Sequence, residues 1–308
     1  MPRSLFDLRL LLVLGKGGVG RTTVSAAMAL AAAREGRRVL VAMCNAKERL
    51  SHLLEVDAID ERNRPILPNI EAVNMTPEAA LEEYGMMILK VRALYRAVFQ
   101  NRFVASFLRG TPGIDAWAML GKAYFHTLES DSSGRPRYDL VILDAPATGH
   151  ALDMLRVPKV LVDAAPPGLL RTEAEKAIAL FRDEGKTGAV LVALPEDMPT
   201  NETLELHRAL RDELGISVAR LVMNSMVQRF FEPDEREVFR ELGQQLKPDS
   251  PLLPYALTAR ARVLREQLQD ESVARLSSAI PAPRIELPHL FQDDLRRSAV
   301  DSLSQVFR

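Results

Sequence analysis

Short apolar runs alternate along the chain with longer stretches of helical periodicity. The predicted strands are residues 8–14, 38–43, 70–74, 138–143, 189–194 and 219–224, with two more around Leu252 and Ile285. Brief runs that are apolar throughout are typical of strands buried on both faces of a parallel sheet. The alternation therefore predicts an α/β fold with a mostly parallel central sheet flanked by helices.

One long helical stretch interrupts this alternation. Thr76, Pro77 and Glu78 supply a capping hydroxyl, a first-turn proline and a first-turn acid, which together mark a helix start. Helical periodicity continues to about Phe125, and the polar stretch 129–137 leads back into the sheet. We therefore predict one domain over residues 1–308, with a helical subdomain inserted at about 76–135.

The most informative local pattern is the run GKGGVGRTT at residues 15–23, which lies between an apolar strand and an Ala-rich helix that Gly36 can end. Closely spaced glycines let the backbone turn its N–H groups toward a phosphate, and the helix N-terminus adds positive charge at the same point. An ordinary glycine-rich turn is the alternative. The strand at 38–43 completes a βαβ unit, which favours a phosphate-binding loop and a P-loop NTPase fold.

The loop departs from the strict P-loop pattern at two places. Lys16 is an extra lysine after the first glycine, and Arg21 occupies the position of the usual lysine. Thr22 follows, where a Mg²⁺-binding hydroxyl belongs. The predicted nucleotide-binding residues of the loop are Gly15, Lys16, Gly17, Gly18, Val19, Gly20, Arg21, Thr22 and Thr23.

A second chemical signal is the run LVILDAPATGHALDML at residues 140–155. A buried strand delivers Asp144 at its C-terminal end, where an acid can bind Mg²⁺ directly or through water. Residues 145–149 can then form a loop that senses the phosphate. Alternatively, Asp144 caps the next helix. Its pairing with the glycine loop upstream favours a Mg²⁺ site formed with Thr22.

Three runs together resemble the ATPases of the arsenite-pump (ArsA) and tail-anchored-protein targeting family. They are GKGGVGRTT, DAPATGH at 144–150 and VMNSM at 222–226. The resemblance extends to PGIDAWAML at 112–120, LPEDMPTNET at 194–203 and IELPHLF at 285–291, so it covers nearly the whole chain. The ParA and MinD positioning ATPases share the lysine-rich loop, but not the APTGH-like run.

The resemblance implies a deviant Walker A ATPase that uses ATP and Mg²⁺. It also implies a face-to-face dimer that encloses two nucleotides, in which Lys16 reaches the partner's phosphates. Asn224, at a strand end, would read the adenine edge, although simple turn formation explains an asparagine there equally well.

This chain differs from the family at positions that carry chemistry. Family members place an Asp-Pro pair after the second strand, and that Asp orients the attacking water, whereas this chain has Asn45 and Ala46. An amide can hold a water but cannot accept its proton, and losing such help costs about 10²–10⁴-fold in rate. Arg21 keeps the positive charge, yet its side chain is longer and forked. We therefore predict that ATP binding persists while turnover is slow, with Asn45 standing in for the acid.

Composition and charge exclude several other functions. The net charge of −1 provides no global attraction to nucleic acid, so we expect no nucleic-acid partner. The only cysteine is Cys44, so the paired cysteines that hold arsenite or zinc in some family members are missing, which argues against metalloid pumping. No run approaches the roughly 18–20 apolar residues of a transmembrane helix. We expect a cytoplasmic protein without a transmembrane segment.

The helical region 78–125 is too apolar for a fully solvated helix, with Met86, Met87, Phe99 and Phe103 among its residues. A lid that packs on the sheet is the simplest interpretation. A hydrophobic groove for a client, for which flexible methionines are suited, is the second. A basic helix on a membrane surface is the third.

Two hypotheses for function follow. The first is a dimeric, slowly ATP-hydrolysing switch that couples nucleotide state to a hydrophobic client or partner. The second is a catalytically weakened subunit that supports an active paralogue in a heterodimer. A ParA-like positioning role on DNA or membrane ranks third. The predicted catalytic residues are Lys16, Asn45 and Asp144, and the predicted metal ligands are Thr22 and Asp144.

Overall fold

The computed structural model describes residues 4–44, 47–89 and 114–307. The strands are β1 (Leu10–Leu14), β2 (Val39–Cys44), β3 (Arg64–Leu67), β4 (Ile70–Met75), β5 (Leu140–Asp144), β6 (Thr187–Ala193), β7 (Val218–Met226) and β8 (Arg284–Pro288). Within the described ranges they form one sheet in the order β3-β4-β2-β5-β1-β6-β7-β8. Neighbours pair in parallel except β3, which is antiparallel to β4. The predicted mostly parallel sheet is confirmed.

Helices connect the parallel strands, as this topology requires. They are α1 (Arg21–Arg34), α2 (Leu50–Leu54), α3 (Pro77–Leu89), α4 (Ile114–Leu128), α5 (Thr148–Ala164), α6 (Leu169–Arg182), α7 (Asp197–Ala209), α8 (Pro233–Gln245), α9 (Leu253–Ala279) and α10 (Arg297–Ser304). Helix α1 ends just before Gly36, which has a φ of 79°. Across the described part of the chain, none of these helices combines the length and apolar character needed to span a membrane.

The core lies on both faces of the sheet because successive side chains of a strand point to opposite sides. In β1, Leu10, Leu12 and Leu14 join one buried cluster with residues of α4, α5, α6 and α7. Leu11 and Val13 join the other cluster, with residues of α1, α2 and α10. All five side chains are fully buried. Continuous apolar runs therefore identify the central strands correctly.

Two predictions about the edges of the fold need correction. The strand predicted around Leu252 is wrong: Leu252 is 60% exposed and immediately precedes α9. Pro254 explains the difference, because a proline fits the first turn of a helix but cannot donate to a strand ladder. The sequence also missed β3, a short and largely exposed strand that contains Pro65 and lies at the sheet edge.

Within the predicted helical subdomain, the structure describes residues 76–89 and 114–135. Helix α4 packs on the sheet through Trp117, Leu120 and Tyr124. Its buried Lys122 lies 2.5 Å from a carboxylate oxygen of Glu83 on α3, and this ion pair joins the two helices. The segment 90–113, which carries most of the predicted client surface, lies outside the described residues.

Candidate nucleotide-binding site

The glycine loop follows β1 at the C-terminal edge of the sheet, where β5 and β6 flank β1 on either side. A Cβ atom added at Gly15 would lie 2.4 Å from the backbone oxygen of Val192 on β6. No side chain fits at that distance from a backbone atom. The loop therefore needs a glycine where it leaves the strand, as the phosphate-loop prediction requires.

Asn224 supports the other end of this loop. Its Nδ2 donates a hydrogen bond of 2.8 Å to the backbone oxygen of Val19. Gly20 has a φ of 90°, and a Cβ there would lie 2.3 Å from the same Nδ2 atom. The structure thus brings Asn224 to the loop from β7, and its amide N–H group is already engaged there. A contact with adenine remains a prediction for this residue.

Thr22 and Asp144 meet beneath the loop. The Thr22 hydroxyl donates a hydrogen bond of 2.7 Å to Oδ2 of Asp144, the last residue of β5. Burial raises the pKa of Asp144 to about 6, although the Thr22 hydrogen bond and the charge of Arg21 act in the opposite direction. Hydroxyl and carboxylate oxygens are the ligand types that Mg²⁺ accepts. The pair therefore has the chemistry of the predicted metal site.

Arg21, the first residue of α1, extends toward β5. Its Nη1 donates a hydrogen bond to the backbone oxygen of Ala145, directly after Asp144. Burial lowers the pKa of Arg21, while the nearby Asp144 and Cys44 act to raise it. The guanidinium therefore lies between the ends of β2 and β5, next to the predicted metal site. The sequence placed Arg21 at the phosphates but did not indicate its contact with Ala145.

Lys16 is paired within its own chain. Its Nζ lies 2.9 Å from Oε1 of Glu202 on α7, and both side chains are partly exposed. Met198, one turn earlier on α7, also contacts the ammonium. Glu202 was missed by sequence reasoning, although it belongs to the family-like run at 194–203. No local pattern pairs residues from such distant parts of a chain.

An open cleft of about 560 Å³ adjoins the loop. It is lined by loop and α1 residues, by Asn224, by Arg49, His52 and Leu53, and by residues of the segment 288–295. His52 Nε2 lies 2.6 Å from Oδ1 of Asp294, so α2 is joined to this segment. The His52 contact is the main cause of the lowered pKa of Asp294. Sequence reasoning predicted a strand around Ile285 and noted residues 285–291 as a family-like run, but it did not place them at the site.

Most of the predicted site residues come together at this edge of the sheet. The cleft is lined by Gly18, Gly20, Arg21, Thr22, Thr23 and Asn224. Gly15, Lys16, Gly17 and Val19 belong to the same loop, and Asp144 contacts Thr22. Asn45 and Ala46 lie outside the described residues, so the predicted role of Asn45 in orienting water remains a prediction.

These features fit a Mg²⁺–nucleoside triphosphate. The cleft volume of about 560 Å³ lies within the usual range for small-molecule sites. A glycine loop at a helix N-terminus offers backbone donors to phosphate. The Thr22–Asp144 pair supplies oxygen ligands for the ion on the same side of the sheet.

Comparisons with known proteins identify ATPases as relatives of this chain. The anion-transporting ATPase family (ArsA ATPase) matches residues 8–165. The chain is 27% identical to the ATPase BagA of Mycobacterium tuberculosis, over 93% of this chain and 89% of that protein. It is 26% identical to an arsenical pump-driving ATPase of Acidiphilium multivorum, over 69% of this chain but 38% of that protein. It is 25% identical to the ATPase GET3C of Arabidopsis thaliana, over 69% of this chain and 66% of that protein.

Proposed function

Because the chain belongs to the anion-transporting ATPase family, we propose that it is a dimeric nucleotide switch that binds ATP with Mg²⁺ and hydrolyses it slowly. The observation that carries this proposal is the 2.7 Å contact between Thr22 and Asp144 beneath the glycine loop. Asp144 does not cap the following helix, because the N-cap of α5 is Ala147 and no side chain caps it, whereas a buried carboxylate beside a hydroxyl suits a divalent cation. The adjoining cleft has room for the nucleoside.

Each site residue has a distinct proposed role. Thr22 and Asp144 hold Mg²⁺, which when bound neutralises charge on the phosphates. Arg21 contacts the β- and γ-phosphates, and Lys16 stabilises transition-state charge on the partner's nucleotide. Asn45 orients the attacking water without accepting its proton. These roles require binding, positioning and charge stabilisation, which dominate catalysis of phosphoryl transfer.

We expect slow turnover because of two residues at predicted catalytic positions. Asn45 lacks the carboxylate that would assist the attacking water. Arg21 is a forked group where the P-loop pattern has a compact ammonium. Neither change removes the glycine loop or the Thr22–Asp144 pair. We therefore expect weakened hydrolysis at a site that still binds nucleotide.

The switch would act on a hydrophobic client or partner at the helical subdomain, residues 76–135 of a single ATPase domain. The apolar composition of residues 78–125 supports this location for the client. The ion pair between Lys122 and Glu83 also joins α3 to α4 within the subdomain. Helix α4 also packs directly on the sheet beside β5.

A second candidate function is a weakened subunit that supports an active paralogue in a heterodimer. The ion pair of Lys16 with Glu202 in the same chain favours it to a small extent, because Glu202 competes with a partner's phosphates for Lys16, although exposed pairs of this kind contribute only about 0–1 kcal/mol. Co-purification from the native source, followed by mass measurement of the complex, distinguishes a homodimer from a heterodimer. A partner of the same mass excludes this second function.

Thermal unfolding with and without ATP and Mg²⁺ tests the proposed function. A ligand at a hundred times its Kd stabilises the native state by about 2.7 kcal/mol, so the melting temperature of the wild type should rise. The informative quantity is the part of the rise that requires Mg²⁺. Asp144→Asn should lose that part, whereas Asp153→Asn, an exposed carboxylate on α5, should keep it. No shift with millimolar ATP or ADP would rule out nucleotide binding.

A further inference from the structure

Arg21 joins the start of α1 to the segment that follows Asp144. Its Nη1 donates to the backbone oxygen of Ala145, across the interval between the glycine loop and β5. Ala145 is only 3% exposed, and its own N–H donates to the backbone oxygen of Val13 on β1 at 3.3 Å. The start of the loop after Asp144 is thus attached both to a neighbouring strand and to the first residue of α1.

The hydrogen bond from Arg21 satisfies a carbonyl that is poorly placed for water. A buried carbonyl that loses its partner is destabilised by the full loss of its solvation. The buried Ala145 carbonyl therefore has a physical reason to keep Arg21 as its donor, even when a second acceptor arrives.

The shape of arginine allows both contacts at once. A guanidinium presents five N–H donors in a planar fork, so one nitrogen can bind Ala145 while others bind a phosphate oxygen. A lysine side chain is shorter, and its three donors share one atom. That single atom would have to lie within hydrogen-bond distance of both the Ala145 carbonyl and a phosphate oxygen, whereas a guanidinium can reach the two with different nitrogens. The arginine that departs from the P-loop pattern therefore makes a link that the usual lysine is less able to make.

We propose that Arg21 is a positioning residue that clamps the segment 145–147, between β5 and α5, in both the nucleotide-free and the phosphate-bound protein. The clamp makes the position of this segment nearly independent of the γ-phosphate, so a single chain distinguishes ATP from ADP poorly, and the proposed switch then depends on the contact of Lys16 with the partner's nucleotide. The phosphate-bound half of this proposal rests on the proposed ATP binding. The nucleotide-free half rests only on the contact between Arg21 and Ala145.

Amide hydrogen exchange over residues 145–152 tests the clamp, with wild type compared with Arg21→Lys and Arg21→Met. In the absence of nucleotide, both variants should exchange about tenfold faster than wild type, since a hydrogen bond from a charged donor is lost. Arg34→Lys is the matched control, because it makes the same change at the far end of α1. The control should exchange like wild type, and melting curves establish that each variant is folded.

The same exchange measurement with added nucleotide distinguishes a clamp from a contact that is only structural. Wild type should change its exchange at 145–152 by less than about twofold on adding ATP·Mg²⁺, whereas Arg21→Lys should slow by about tenfold. The ratio of the Kd values for ADP and ATP should likewise be near one in wild type and rise to about ten in Arg21→Lys, a difference of about 1.4 kcal/mol.

Three outcomes would overturn the clamp. They are equal exchange of wild type and Arg21→Lys without nucleotide, a large response of wild type to ATP, and an ADP-to-ATP ratio that the substitution leaves unchanged. Failure of the proposed function has a different signature, because ATP would then leave exchange at the glycine loop, residues 15–23, unchanged in every variant.

Discussion

The ammonium of Lys16 lies 2.9 Å from Oε1 of Glu202 in the same chain. The family resemblance implies that Lys16 acts on the nucleotide of a partner, so Glu202 competes for this ammonium. Both side chains are partly exposed, and ion pairs of this kind contribute about 0–1 kcal/mol. A phosphate carries more charge than a carboxylate, so in the proposed dimer we expect the partner's nucleotide to displace Glu202.

Glu202→Gln should therefore favour the ATP-dependent dimer. Removing the competing charge frees Lys16, and the expected gain is about twofold to fivefold in the dimer association constant with ATP·Mg²⁺. Sedimentation analysis at low and physiological salt measures it, and the gain should diminish as salt screens the pair.

Glu205→Gln is the matched control for this prediction. Glu205 is an exposed acid one turn further along α7, and within the described residues it makes no ion pair. The control should associate like wild type. Equal association of Glu202→Gln and Glu205→Gln would mean that the Lys16 pair does not restrain the dimer.

Lys16→Ala should abolish dimer-dependent ATP hydrolysis while leaving the melting temperature without nucleotide nearly unchanged. Lys16 is partly exposed and contributes charge to the site more than packing to the core. Steady-state phosphate release at several protein concentrations measures the effect. Lys159→Ala, an exposed lysine on α5, serves as the control. A Lys16→Ala protein that hydrolyses ATP at the parent rate would exclude Lys16 from the mechanism.

Asn45→Asp combined with Arg21→Lys should accelerate hydrolysis by at least about tenfold, or about 1.4 kcal/mol of barrier. Both substitutions restore groups that the family resemblance implies for the reaction, while the loop and the Thr22–Asp144 pair are unchanged. Phosphate release from wild type, each single variant and the double variant measures it, after ATP binding has been verified for each.

The rates also decide between the two candidate functions. A wild type that already turns over at about 1 s⁻¹, with no response to the substitutions, would contradict the weakened site. Hydrolysis that begins in any variant only after a second, paralogous subunit is added would support the heterodimer.

Glu129 provides a test of stability against pH. Its hydrogen bond with His126 holds the pKa of Glu129 at about 2, well below the usual 4.5, with a further contribution from Arg137. A carboxylate with a lowered native pKa stabilises the fold above its unfolded pKa, and this contribution is lost as the pH falls from about 4.5 toward 2. Glu129→Gln should therefore be destabilised near pH 7 by about 1–3 kcal/mol.

Urea unfolding from pH 7 downward measures this difference for as long as the protein remains folded. The difference in unfolding free energy between wild type and Glu129→Gln should shrink below about pH 4.5. In that range Glu129 binds a proton in the unfolded chain but not in the folded protein, so falling pH favours unfolding of the wild type. Glu184→Gln, at an exposed acid between α6 and β6, is the control. A difference that is constant from pH 7 to pH 3 would show that the ionised form of Glu129 has no special role.

The sequence alone determined the central strands, the glycine loop and the positions of Thr22 and Asp144. Each of these is encoded in contiguous residues: an apolar run predicts a buried strand, and closely spaced glycines predict a loop that only such residues can form. Parallel strands also place their C-terminal ends at one edge of a sheet, so an acid at the end of β5 could be expected near the loop.

Only the tertiary structure decided which distant side chains meet at that edge. The contacts of Lys16 with Glu202 and of Asn224 with Val19 join parts of the chain that no local pattern relates. The hydrogen bond from Arg21 to the Ala145 carbonyl could not be predicted either, because it depends on the distance between α1 and β5 in the packed structure. Periodicity reports which residues are buried, whereas the partner of a polar side chain is set by the register and packing of separate elements.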